Sequence, residues 1–330
     1  VIFVQPLVTR AEDVARAIVE STRELAGTKP VLTVFMSARG VPEELRTADL
    51  RIPSYAFPES AAIALAHVAR YGEWRERPRV APPRLAGLRR DEAAGIVAAA
   101  LRRGDGWLTP EETETLLSCY GLPVVEQRMA SDPEHAGIAA QELGGEVALK
   151  AVAPGIVHKT ELGAVRLGLS GAEATRLAAE EMGARLRSRG YSPDAFLVQR
   201  MVAEGVEMLV GVVHDRQFGP VVACGAGGVL VELLRDVSVR LTPLTRDDAS
   251  EMIRSLRTYP LLTGFRGGPT CDVGALEDAL LRVSALVEDL PQVAELDMNP
   301  IRVHAEGASV VDARVRVARP EPQRPLGPRG

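Results

Sequence analysis

The segment Glu295-Leu-Asp297-Met-Asn299-Pro300 constrains the fold more than any other, because strict alternation of oxygen-bearing and apolar side chains fits a strand with two unlike faces. In that strand Glu295, Asp297 and Asn299 share one face, while Leu296 and Met298 pack into the other. Pro300 is expected to end the pairing. A short connection containing Glu306-Gly307 then returns the chain as Val310-Val311-Asp312-Ala313-Arg314, so Asp312 is predicted to come beside Asn299 across a hairpin. Oxygen-only ligands of this kind suit Mg²⁺, which keeps several waters and takes one or two protein oxygens plus phosphates. A polar strand face open to solvent is the plainer reading of the same pattern.

A second constellation is marked by composition. Among 39 basic residues only three are lysines, and Lys150 and Lys159 flank one short loop. Lysine is a compact point charge with three rotatable donors, which suits a phosphate in a tight pocket better than the planar arginine fork does. The segment runs as a β-rich stretch, Glu146 to Lys150, a Pro154-Gly155 loop through His158 and Lys159, and a second apolar run at Val165. A strand that delivers a lysine to a loop carrying a histidine is a plausible phosphate-handling arrangement. By itself the same stretch also reads as a surface loop with solvated charges.

Length and charge bound the rest. A chain of 330 residues, 46% hydrophobic, can bury more than one core. Its net charge of −5 and the lack of a basic tract argue against nucleic acid as a partner. Cys119, Cys224 and Cys271 are spaced for neither a metal knuckle nor a disulfide framework and read as small buried hydrophobes, which fits a reducing cytosol. No apolar run approaches the ~18 residues of a membrane span and no signal peptide is seen, so a soluble cytoplasmic protein is expected.

Along the chain, residues 1–78 alternate strand and helix: strands at Val1–Gln5, Pro30–Met36 and Ile52–Ala56, helices at Ala11–Leu25 and Glu59–Trp74, and a short helix near Pro42–Arg46. Such alternation implies a parallel sheet covered by helices. A linker and an amphipathic helix, Arg90 to Arg103, occupy 79–108; two lobes are expected at 109–195 and 196–320, and a Pro/Gly-rich disordered tail at 321–330.

Eight motifs, in order, carry a family resemblance from about Leu108 to Val317: Leu108-Thr-Pro-Glu-Glu with Tyr120-Gly-Leu-Pro-Val; Val147-Ala-Leu-Lys150; Pro154-Gly-Ile-Val-His158-Lys159-Thr-Glu-Leu-Gly163; Leu197-Val-Gln199-Arg-Met-Val202; Gly205-Val-Glu207 through Pro220; Gly225-Ala-Gly-Gly228 through Glu232; Tyr259 through Gly267; and Glu295 through Pro300. Together they resemble the ATP-grasp part of the nucleoside-diphosphate-forming acyl-CoA synthetases, the superfamily of ADP-forming acetate–CoA ligase and succinyl-CoA synthetase. The implied fold class is α/β, a two-lobed ATP-grasp fold preceded by part of a flavodoxin-like parallel-sheet domain. With no initiator Met, the chain is expected to be a fragment, or a gene model missing its N-terminal part, without the CoA-binding and phosphohistidine-bearing ligase domains.

The resemblance also implies roles. Lys150 would bind nucleotide phosphates, with Lys159 in the same loop region. The strand Leu197–Val202 would offer backbone groups to adenine, with Gln199 beside the base and Met201 packing on it, although packing between lobes is an equal reading for Met201. Glu207 would lie near the ribose or phosphates. Gly227 and Gly228 would present N–H groups to an anion or simply form a tight turn. Asn299 and Asp312 match Mg²⁺ ligands, and Asp297 a neighbour that orients the histidine or metal waters. Glu295 is less well matched, and Glu232 and Arg240, which follow the glycine turn, are expected to line the same cleft. His158 would take a phosphoryl group in relay, one ring nitrogen attacking phosphorus while the other is held by a hydrogen bond. Thr160, Glu161 and Ala164 stand where Ser, Asp and Gly are more usual. His67, His135, His214 and His304 read as structural.

The reaction implied is acid + CoA + ATP ⇌ acyl-CoA + ADP + phosphate, with Mg²⁺ as cofactor, ATP/ADP as substrate, and CoA and the carboxylic acid bound by domains upstream or in a partner chain of an oligomer. A rival reading is a regulatory acyl-CoA-synthetase-like module of a GNAT protein lysine acetyltransferase, whose C-termini the Pro/Arg-rich tail resembles. Another ATP-grasp carboxylate–amine ligase is weaker, since such enzymes need no His158-Lys159 loop.

Overall fold

A computed structural model describes residues 2–4, 9–25, 28–36, 40–46, 51–76, 78, 80–153, 162–228 and 234–320. They fall into two compact units, 1–80 and 81–330. In the first, strands β1 (Ile2–Val4), β2 (Thr33–Met36) and β3 (Ser54–Tyr55) form a parallel sheet in that order, as the strand–helix alternation predicts. Helix α1 (Ala11–Thr22) forms because Ala11, Ala15, Ile18, Val19 and Thr22 recur at helical spacing; that stripe is buried in a small core with Phe35, Leu45 and Ile52. Helix α2 (Pro58–Glu76) buries none of its residues.

The second unit contains two sheets. Strands β5 (Gln127–Ala130), β6 (Glu146–Val152), β7 (Val165–Ser170) and β8 (Ala195–Arg200) make an antiparallel sheet in the order β5-β8-β6-β7. Helices α5 (Pro133–Leu143) and α6 (Ala172–Ser188) cover one face, where Val147, Leu149, Ala151, Phe196 and Val198 are buried against Ala139, Ala140, Met182 and Leu186. Period-two alternation therefore turns Ala148, Lys150, Leu197 and Gln199 to the opposite face.

The larger sheet is antiparallel: β9 (Val206–Asp215), β10 (Gly219–Ala226), β11 (Val237–Leu241), β12 (Val293–His304), β13 (Gly307–Val310) and β14 (Ala313–Val317), joined by the short β4 (Gly106–Trp107). The order is β11-β10-β9-β12-β14-β4, with β13 beside the end of β12. Its inner residues Met208, Val210, Val212, Leu296, Met298 and Val315 share one core with the long helix Val273–Asp289 and with helices α3 (Arg90–Arg102) and α4 (Pro110–Cys119). Each fully buried Leu, Val or Met contributes about 1.5–3 kcal/mol. Residues 93–122 thus pack on the core of the larger sheet. Tyr120 ties this together: its ring is fully buried and its hydroxyl donates to Asp289 at 3.0 Å. No described helix is long and apolar enough to cross a membrane, and all three cysteines are free and buried.

Strand β12 corrects one expectation: it runs through Pro300 to His304 rather than stopping there. The register against β9 shifts between Met298 and Ile301, an irregularity that absorbs the missing proline N–H. The Pro300 carbonyl instead accepts from Val311 N–H at 3.0 Å. The turn that follows is the short one expected, with His304 opposite Gly307.

Asp236, 7% exposed, anchors the start of β11 by accepting from Thr258 N–H (2.8 Å), Thr258 hydroxyl (2.7 Å) and Arg257 N–H (3.1 Å). Burial opposes its ionisation, but these hydrogen bonds prevail and hold its carboxyl below the usual range. A depressed folded pKa contributes stability that is present above the unfolded value, about 3.9, and is lost as pH falls through the folded one. Asp236→Ala should therefore cost about 1–3 kcal/mol at pH 7. Urea titrations of both proteins should show the difference shrinking below about pH 4.

Candidate functional site

The open face of the small sheet and the larger sheet enclose a cleft of about 320 Å³ whose lining includes Gln127, Leu197, Gln199, Val311, Asp312 and Arg314. One backbone carbonyl joins the two sides. Val311 oxygen accepts from Lys150 Nζ at 3.2 Å and from Gln199 Nε2 at 2.9 Å. Lys150 is 8% exposed and Gln199 2%, so both charges and dipoles act in a largely dry setting. The segment carrying Val311 is held from the other side as well: Val310 N–H donates to Pro123 oxygen (2.8 Å) and Val125 N–H to Val310 oxygen (3.1 Å).

Next to it lies the acidic hairpin. Leu296 and Met298 are buried, and Glu295, Asp297 and Asn299 occupy the opposite face, as the alternation predicts. Asn299 N–H donates to the Asp312 backbone carbonyl at 3.0 Å, so the predicted neighbours do meet. Glu295 is engaged with Arg316 at 2.6 Å, an ion pair across β12 and β14. Asp297, although open to solvent on one side, has its carboxyl pushed up by partial desolvation and then by Asp312, against the opposing pull of Arg314. Two carboxylates close enough to disturb each other, beside an amide oxygen, form a hard donor set. Among the described residues no group of three or more His, Cys, Asp and Glu side chains forms a metal cage. Carboxylate and amide oxygens of this kind are the donors that a hard, hydrated cation takes, and Asn299 and Asp312 are the residues that could hold one.

The glycine-rich turn reaches the same place. Gly228 N–H donates to Asn299 Oδ1 at 3.1 Å and Gly227 N–H to the Glu207 backbone carbonyl at 2.8 Å. Only glycine fits at Gly227, where a Cβ would lie 2.5 Å from the Met208 carbonyl oxygen. Glu207 itself is paired with Arg302 at 2.5 Å, directly across β9 and β12.

Strand β8 is interior to its sheet, so Arg200 N–H goes to Glu126 oxygen (3.0 Å) and Met201 N–H to Glu146 oxygen (2.9 Å). Of the adenine-binding stretch expected at Leu197–Val202, the amide of Val202 is the one with no hydrogen-bond partner among the described residues. Met201 and Val202 are half-buried just beyond the strand. Arg240 does not line the cleft: it sits on the edge strand β11 and faces Glu251 at 3.7 Å. His158, Lys159, Thr160, Glu161 and Glu232 lie outside the described residues. Cys224 is no nucleophile, since burial pushes its thiol up to about 12. Gln127, absent from the sequence reading, lines the cleft opposite Gln199; a glutamine in a short edge strand carries no periodic or motif signal.

A profile of the ATP-grasp domain matches residues 99–317. The chain belongs to the ATP-grasp family. The two sheets are the lobes of this fold, and the cleft lies between them. ADP-forming acetate–CoA ligase I of Archaeoglobus fulgidus is 36% identical over 292 residues, 87% of this chain and 42% of that protein. The beta subunit of ADP-forming acetate–CoA ligase I of Pyrococcus furiosus is 40% identical over 212 residues, 63% of this chain and 90% of the subunit. Among solved structures, dinucleotide-forming acetyl-coenzyme A synthetase 1 of Candidatus Korarchaeum cryptofilum, in complex with coenzyme A and Mg-AMPPCP, matches with a TM-score of 0.60 at 38% identity, over 68% of this chain and 99% of that one. This ATP-grasp chain therefore spans less than half of the single-chain ligase and most of the subunit.

Gly227→Ala should force the turn away from β9 and detach Gly228 from Asn299. An overpacking cost of about 1–3 kcal/mol, measured by thermal unfolding, is expected, whereas Gly95→Ala, inside helix α3 where a Cβ meets nothing within 4 Å, should be neutral or stabilising by about 0.5–1 kcal/mol.

Proposed function

We propose that the chain is the nucleotide-binding, phosphoryl-transfer part of an ADP-forming acyl-CoA synthetase, working in the reaction acid + CoA + ATP ⇌ acyl-CoA + ADP + phosphate. The observation that carries this is that a buried lysine from one lobe bonds the Val311 carbonyl of the other, next to Asp312, whose backbone is in turn bonded to Asn299. The likeness to ADP-forming acetate–CoA ligases supports it.

In this reading Lys150 exchanges the Val311 carbonyl for nucleotide phosphate, where its charge counts most as negative charge shifts in the transition state. Gln199, Met201 and Val202 border the base, Glu207 the ribose or phosphates, and the N–H groups of Gly227 and Gly228 an anionic oxygen. Asn299 and Asp312 would hold Mg²⁺, which when bound neutralises phosphate charge. Asp297 orients the histidine or the waters. A neutral ring nitrogen of His158 attacks the γ-phosphorus of ATP, the bond to the bridging oxygen breaks, and ADP leaves; Lys159 assists at the phosphates. The phosphoryl group then passes to a histidine of a ligase domain upstream or in a partner chain, where CoA and the carboxylic acid are also bound. The parts of His158 and Lys159 rest on their motif. A heteromeric assembly accords with a relative that is itself named as a subunit.

Incubation with Mg²⁺ and γ-labelled ATP should give acid-labile, base-stable label that falls to background in His158→Ala while Mg-ATP still raises the melting temperature. Lys150→Ala should weaken Mg-ATP binding by about 10- to 100-fold, the range for a lost charge-assisted hydrogen bond. Full labelling of His158→Ala would refute the relay. Stabilisation without any label would favour the nucleotide-sensing regulatory module.

A further inference from the structure

Gln199 and Gln127 stand directly opposite each other on β8 and β5, and both line the cleft. A backbone carbonyl only accepts hydrogen bonds, so Val311 oxygen obliges Gln199 to turn its NH₂ group inward, at 2.9 Å. The same Nε2 donates to Gln127 Oε1 at 3.3 Å. The chain of amides consequently has one direction. Reversing Gln199 would set two proton-less oxygens against each other and break both bonds. Two groups are left over: Gln199 Oε1, an acceptor, and Gln127 Nε2, a donor. Neither has a hydrogen-bond partner among the described residues.

We propose that this acceptor–donor pair makes the site prefer adenine over guanine; the inference rests on the nucleotide reading above and deepens it by assigning that preference to Gln199 and Gln127. Adenine presents an exocyclic amino donor beside a ring-nitrogen acceptor, N1 or N7, which complements Gln199 Oε1 and Gln127 Nε2. Guanine and hypoxanthine present O6 where adenine has its amino group, and that oxygen would face Gln199 Oε1 with no proton between them. Because Val311 locks Gln199, the site cannot invert its pattern to suit them. Val124, Leu197 and Val310 line the same cleft and offer apolar walls for the faces of a purine.

Calorimetric titration of the full chain with Mg-ATP, Mg-ITP and Mg-GTP tests this. ATP should bind tighter than ITP and GTP by roughly tenfold or more, the effect of leaving a buried polar group facing an unmatched partner. Gln127→Glu, which removes the donor but can still accept from Gln199, should weaken ATP and bring ATP and GTP to within roughly threefold; Gln127→Leu should narrow the ratio likewise should the glutamate variant fail to fold. A merely structural role would weaken all three nucleotides alike. Equal affinities in the native protein, or an unchanged ratio in a folded variant, would overturn the base-reading proposal alone. No binding of any nucleotide would overturn it together with the proposed function.

Discussion

The carbonyl of Val311 is the point on which the cleft depends. A lysine and a glutamine from one lobe converge on it, while the residues on either side of it are held by the larger sheet, through Pro300, and by the Pro123–Val125 segment that leads into the smaller one. A buried ammonium without an acceptor is costly, and the Val311 carbonyl is one neutral acceptor for Lys150. An acid in that place would hold the lysine more tightly and compete with a phosphate; a carbonyl holds it in position and can be exchanged. The same contact locks the side-chain amide of Gln199, so one backbone oxygen sets both the position of a charge and the direction of a hydrogen-bond pattern.

The opposite wall is rigid for a different reason. Leu296 and Met298 are locked in the core, which leaves Asp297 and Asn299 no choice of face. Asn299 is then oriented from two directions, its backbone by Asp312 and its side chain by Gly228. Glu207 is restrained by Arg302, so the acid nearest the glycine turn is already paired, whereas Asp297 and Asp312 are close enough to act on each other. The packing of the core thus decides where negative charge collects, and that charge decides what can bind there.

Much of this was legible in the sequence because it followed from periodicity. The alternation at Glu295–Asn299, the helical stripe of Ala11–Thr22 and the return of Asp312 to Asn299 all follow from spacing along a strand or helix. Pro300 misled because a proline stops a regular ladder, whereas here a register shift takes it up and the strand continues to His304. The stretch at Leu197–Val202 was expected as a strand and is one as far as Arg200, but its interior position in the sheet, which spends most of its backbone groups, is a matter of strand order that local sequence does not encode. Gln127, Val311 and Asp236 escaped notice for a related reason: each acts through a contact with a residue distant in sequence, and nothing in its own neighbourhood records that partner.

The most direct test of a nucleotide site between the lobes is amide hydrogen exchange with and without Mg-ADP. The account predicts slowed exchange at Val202, Gly228 and Asp312, drawn from both lobes and the glycine turn, with β11 and the first unit unchanged. Protection confined to other segments, or none at saturating Mg-ADP, would contradict it.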